Sequence, residues 1–186
     1  MGKLRKDKRY TYADYILWDG DERYELIDGV PYALASPSTE HQRISGRLYL
    51  QFAGYLDGHP CEVFAAPLDV CLFADGEKDD TVVQPDLLVV CDQAKLDEHK
   101  CNGAPDMTVE IMSPSTSKRD MQLKRDRYLQ AGVREYWIID PVKKVLIMNV
   151  LEDGEYSVNI FTEADAVPVR ILEGLTINLP DVFQSE

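Results

Sequence analysis

"PDMTVEIMSPSTSKRD", residues 105–120, contains an apolar run from Met107 to Met112 with one glutamate, Glu110, set inside it. A strand buried on both faces reads as a near-continuous apolar run. Residues 107–112 are therefore predicted to form an inner strand of a sheet. A lone carboxylate in such a strand costs free energy unless it is paired or binds a cation. A helix is predicted over about 117–131, with Ser117 and Asp120 at its start and Gly132 as its stop. It begins only a few residues after Glu110, so it can fold back over the same sheet face.

Outward from this strand the pattern is mixed. Residues 11–19, TYADYILWD, read as a short helix. Residues 23–34 read as a hairpin, RYELI and VPYAL about an Asp28-Gly29 turn. Residues 38–58 read as a long helix with Ile44, Leu48, Phe52, Tyr55 and Leu56 on one stripe. Ser38 or Thr39 caps it, and Thr39 with Gln42 can form a capping box. Strands are predicted at about 61–66, 68–73, 86–91, 135–140, 144–150 and 155–161, with 74–82 a polar turn. This order of elements predicts an α/β or α+β sheet with helices packed on it.

Bulk properties narrow the function. A chain of 186 residues is expected to make one domain with a full core. At 45% hydrophobic and 28% charged it has the composition of a soluble globular protein. No apolar run approaches the ~18 residues of a membrane span, and the basic start MGKLRKDKRY has no apolar signal-peptide core. Cys61, Cys71, Cys91 and Cys101 show no close pairing and, with three scattered histidines, no zinc spacing. They are expected to be reduced thiols, mostly in strands, in a cytoplasmic protein.

Side-chain alternation places three acids in apolar strands. Asp86 shares a face with Leu88 and Val90, Glu110 with Thr108 and Met112, and Glu25 with Ile27. Three such acids suggest a converging site, for which a hard divalent cation is the natural partner. The alternative is that each pairs separately with an arginine or sits at an exposed strand end. In the second helix Met121, Lys124, Tyr128 and Leu129 form the inner stripe, with Lys118 on the outer face. Lys124 either pairs with Glu110 or snorkels outward, and Asp120, four residues before it, allows an ordinary surface pair. His41, in the first turn of the long helix, is either a core histidine satisfied by a nearby acid or a lining residue of a site near Glu25.

YELIDG, a helix with an early histidine, QPDLLVV, TVEIMSPST, D-x-x-x-K-x-x-x-Y and GVREYWIIDP together resemble the Uma-type family of putative restriction endonucleases. That family belongs to the PD-(D/E)XK nuclease superfamily. The resemblance covers about residues 10–183. It implies a mixed central sheet flanked by helices, with Pro85-Asp86 as the PD element and Glu110 as the second acid. The superfamily lysine should stand two residues after that acid, where this chain has Met112. The resemblance implies that the lysine has moved to the following helix as Lys124, and that Glu25 matches a family glutamate.

The chemistry implied is metal-assisted hydrolysis of DNA phosphodiester bonds. Asp86 and Glu110 would hold Mg²⁺, or Mn²⁺ in its place, with the Ile111 carbonyl as a third ligand. Lys124 would position water or neutralise phosphate, and Glu25 or His41 would bind a second metal or orient water. The resemblance also suggests a homodimer, for which VLIMNV and YSVNIF offer strands that pair or extend the sheet.

The net charge of -13 is awkward for a DNA enzyme, whose affinity comes largely from phosphate neutralisation. Basic residues cluster only at Lys3, Arg5, Lys6, Lys8 and Arg9 and over 118–127. The charge and Met112 support a second reading, a nuclease fold that only binds or scaffolds. A hydrolase of small phosphorylated molecules has no nucleotide-binding glycine loop to support it.

Overall fold

The computed structural model describes residues 5, 8–18, 22–113 and 119–184. After helix α1 (Tyr12–Tyr15), strands β1 (Tyr24–Ile27) and β2 (Val30–Ala33) form the hairpin. Its turn residues Asp28 and Gly29 have φ of 51° and 72°, the left-handed pair that a two-residue hairpin requires. Helix α2 (Thr39–Leu56) follows, capped by Ser38, whose side chain accepts from the His41 N–H. Its buried residues Ile44, Leu48, Phe52 and Leu56 recur every fourth position and make one stripe.

Strands β3 (Glu62–Ala65), β4 (Asp69–Cys71), β5 (Val82–Val83), β6 (Leu87–Val90), β7 (Lys100–Asn102) and β8 (Met107–Ile111) lead to the second long helical segment. This segment begins as a π-helical stretch, Arg119–Lys124, and continues as α3 (Arg125–Ala131). Gly132, at φ 82°, ends it. The chain closes with β9 (Glu135–Asp140), β10 (Val145–Glu152), β11 (Glu155–Thr162), β12 (Ala166–Pro168), β13 (Thr176–Asn178) and α4 (Leu179–Val182).

The main sheet has six strands in the order β11-β10-β9-β8-β6-β3. Only β8 and β9 are parallel. A parallel pair needs a crossover, and the segment containing α3 supplies it. That connection brings α3 back over the sheet. Leu87, Val89, Val109, Ile111, Trp137 and Ile139 pack against α2 and the C-terminal β12, β13 and α4. On the opposite face, Leu88, Val90, Tyr136 and Ile138 pack against Tyr128 of α3 and against Ile27, Val70 and Val83 of a second sheet, β2-β1-β5-β4-β7. The architecture is the mixed sheet flanked by helices that the sequence predicts, with the second sheet added.

Several expectations change. The helix expected over 11–19 is one turn, because Ile16 and Leu17 are exposed and offer no buried face to extend it. Strands β5, β7, β12 and β13 are too short to carry a readable period. Ser38 rather than Thr39 caps α2. Ser117 lies outside the described residues, as does the side chain of Asp120.

The expectation of four reduced thiols is corrected. Cys61 and Cys91 form a disulfide, with Cα atoms 3.8 Å apart. Thirty residues separate them in sequence, but β3 and β6 pair with Glu62 opposite Val90. The next step of that register brings 61 opposite 91. Cys71 and Cys101 are free and buried in β4 and β7. The disulfide removes the support that reduced cysteines lent to a cytoplasmic location. Among the described residues, no helix is long and apolar enough to cross a membrane.

Candidate active site

Glu110 sits near the C-terminal end of β8, on the sheet face that α3 covers. It is buried. The Lys124 ammonium lies 2.6 Å from Glu110 Oε1, and the Tyr128 hydroxyl donates to the same oxygen at 2.8 Å. Lys124 and Tyr128 are four residues apart, one turn of helix, so a single face of the segment delivers both donors.

Glu25 reaches the same point from the second sheet. It lies in β1 and is fully buried. Its Oε1 is 2.8 Å from Lys124 Nζ and accepts from the Gln84 N–H at 2.9 Å. Gln84 is held in turn, because its side-chain amide donates to Asp69 Oδ1 at 2.8 Å. One ammonium, only 2% exposed, therefore joins carboxylates from two different sheets. Such a lysine is tolerated because its partners offset the desolvation of its charge.

Asp86 lies just before β6. In the β6–β8 register Leu87 faces Val109 and Leu88 faces Thr108. One further step sets Asp86 opposite Glu110. Asp86 Oδ2 accepts from the Ile111 N–H at 2.7 Å and lies 3.2 Å from His41 Nε2. His41 is thus both satisfied by an acid and part of the site, although that acid is Asp86 rather than Glu25. Ile111 contributes its N–H to Asp86. Glu25, His41, Asp86, Glu110 and Lys124 all line one cavity of about 480 Å³.

Of the two readings of Lys124, pairing with Glu110 is the one observed, and the same ammonium also reaches Glu25. Met112, in the superfamily lysine position, packs on the apolar cluster around Tyr128 and Tyr136. Tyr128 and Gln84 were not predicted as site residues. Tyr128 carried a signal, since it follows Lys124 by four on the inner stripe. Gln84 carried none beyond standing before Pro85-Asp86. Burial, and then the nearby Glu110 and Glu25 charges, push the Tyr128 hydroxyl well above its usual range. It therefore stays a neutral donor.

The donor set suits a hard divalent ion. Mg²⁺ uses one or two carboxylates and completes its shell with water. Among the described residues no three His, Cys, Asp or Glu form an all-protein cage. Two carboxylates on neighbouring strands, Asp86 and Glu110, match the lower requirement.

The basic clusters are described in part. Lys3, Lys6 and Lys118 lie outside the described residues. Lys8 bonds Asp14, Arg9 bonds the Asp28 carbonyl, Arg125 bonds Asn149 and Arg127 faces Asp28.

The model of the Uma2 family, described as "Putative restriction endonuclease", matches residues 12–180. An uncharacterized protein of Synechocystis sp. is 24% identical over 175 residues, 92% of this chain and 90% of that one. A crystal structure of a putative nuclease belonging to DUF820 from Anabaena variabilis superposes with a TM-score of 0.75 at 21% identity. That match covers 93% of this chain and 97% of the other.

Proposed function

We propose a DNA-hydrolysing function for this chain, which belongs to the Uma2 family of putative restriction endonucleases. In this reading one restriction-endonuclease-like domain cuts phosphodiester bonds of DNA, in the cytoplasm, with Mg²⁺ as cofactor and Mn²⁺ as substitute. Asp86 and Glu110 hold the ion, with the Ile111 carbonyl as a further ligand. The chemistry such an ion supplies when bound is Lewis-acid stabilisation of the charge developing on phosphate.

The protein's own groups do the rest. Lys124 offsets the charges of Glu25 and Glu110, which would otherwise repel an entering phosphate. Tyr128 and Lys124 fix the orientation of Glu110 by donating to one of its oxygens. The Ile111 N–H and His41 do the same for Asp86. Glu25 anchors Lys124.

The observation that carries this reading is the 2.6 Å contact from Lys124 to Glu110. It supplies a lysine beside the second acid although Met112 occupies the superfamily position. The test is nicking of supercoiled plasmid. Wild-type protein is expected to nick in Mg²⁺ and not in EDTA. No nicking with Mg²⁺ or Mn²⁺ would leave the binding or scaffolding reading that Met112 supports.

Cutting both strands calls for two sites, and we propose a homodimer. Strand β11 is an edge of the main sheet. Its Val158 and Ile160 are 52% and 67% exposed, which suits edge-to-edge pairing.

A further inference from the structure

We infer that Lys124 stands where a second metal ion would sit, so that this site takes a single divalent cation. The inference rests on the nuclease reading above and adds the stoichiometry of its metal. Glu25, Asp86 and Glu110 are three of the four carboxylates that line one cavity, Glu40 being the fourth. Glu25 and Glu110 converge on one ammonium, at 2.8 Å and 2.6 Å. Those distances leave no room for a metal between the same two oxygens. Lys124 is only 2% exposed, so water screens these charges weakly.

The charge balance agrees. Glu25, Glu40, Asp86 and Glu110 against Lys124 and Arg23 leave the cavity lining a charge of about -2, which one divalent ion neutralises; two would overshoot. Glu110 Oε1 also receives the Tyr128 hydroxyl, so this oxygen is committed to Lys124 and Tyr128. Glu25 is accordingly an anchor for the lysine and not a metal ligand. Removing the lysine should turn Glu25 and Glu110 into a second ion site.

The test is the number of Mn²⁺ ions bound, read by electron paramagnetic resonance of free Mn²⁺ during titration. Wild-type protein should bind one, and Glu25→Gln should still bind one. Lys124→Met should bind two, and the double variant Lys124→Met with Glu25→Gln should return to one. Two ions on wild-type protein, or loss of the ion in Glu25→Gln, would overturn the inference while leaving a metal-dependent nuclease intact. The Glu25→Gln result keeps the test decisive if Lys124→Met fails to fold. No ion on wild-type protein would overturn the metal reading itself and the inference with it.

Discussion

The Lys124 ammonium and the Glu110 carboxylate meet at 2.6 Å, fourteen residues apart in sequence and buried together beneath the main sheet. The contact exists because β8 and β9 are parallel. Their crossover must pass over the sheet, and α3 with its π-helical entry does so on the face where Glu110 points. The same ammonium reaches Glu25 of the second sheet. The candidate site and a joint between two sheets are thereby one structure.

Asp86→Ala should abolish divalent binding. The register sets Asp86 opposite Glu110, and one carboxylate already committed to Lys124 is a poor site alone. Calorimetric titration with Mn²⁺ should give no binding heat for the variant. Unchanged binding would remove Asp86 from the metal site.

Thiol counting checks the disulfide. Burial pushes the Cys71 thiol up to about 12 and the Cys101 thiol to about 11. Near neutral pH neither is a reactive thiolate in the folded protein. A thiol reagent should therefore find none in the native protein, two after denaturation and four after denaturation with reductant. Four after denaturation alone would exclude the Cys61–Cys91 bridge. Reduction should destabilise the fold by about 2–4 kcal/mol.

Glu135 gives the fold a pH signature. Burial is the larger effect and raises its pKa above the usual 4.5, although the Ile171 N–H and the Trp137 indole donate to it. A raised folded-state pKa means that its contribution is fully present below the unfolded value and is lost as pH rises through the folded one. Wild-type stability should therefore fall relative to Glu135→Gln as pH rises above the ordinary glutamate value of 4.5. Melting curves of the two proteins above that value measure it. A difference that stays constant would show that burial does not perturb Glu135.

Assembly can be tested at β11. Light scattering should give a dimer, and Ile160→Lys should shift it to monomer by placing a charge on the exposed edge strand. A wild-type monomer at every accessible concentration would contradict the dimer.

The sequence reveals those parts of this structure that carry a strong period. The α2 stripe, the β8 run and the Asp28-Gly29 turn are legible because burial and backbone geometry restrict their residue types. Lys124 is legible as an odd charge on an inner stripe. The Cys61–Cys91 pairing is not, because it depends on the register between two strands thirty residues apart. The link from Lys124 to Glu25 is hidden for a similar reason, since it needs the second sheet, whose β5 and β7 are two and three residues long. Gln84 enters the site through its backbone N–H, a donor that no residue pattern marks.

The most direct test of the account is Mg²⁺-dependent plasmid nicking by Lys124→Met, on protein whose circular dichroism matches wild type. Breaking a buried ion pair costs about 3–5 kcal/mol of stability. The double variant Lys124→Met with Glu25→Gln, which leaves one fewer uncompensated charge, is therefore assayed beside it. Both should lose about 100-fold or more in rate, as expected for a lost electrostatic stabiliser. Lys118→Met, at the position predicted to face outward, should lose far less. Folded Lys124→Met protein that nicks at the wild-type rate would contradict the claim that Lys124 replaces the lysine missing at Met112.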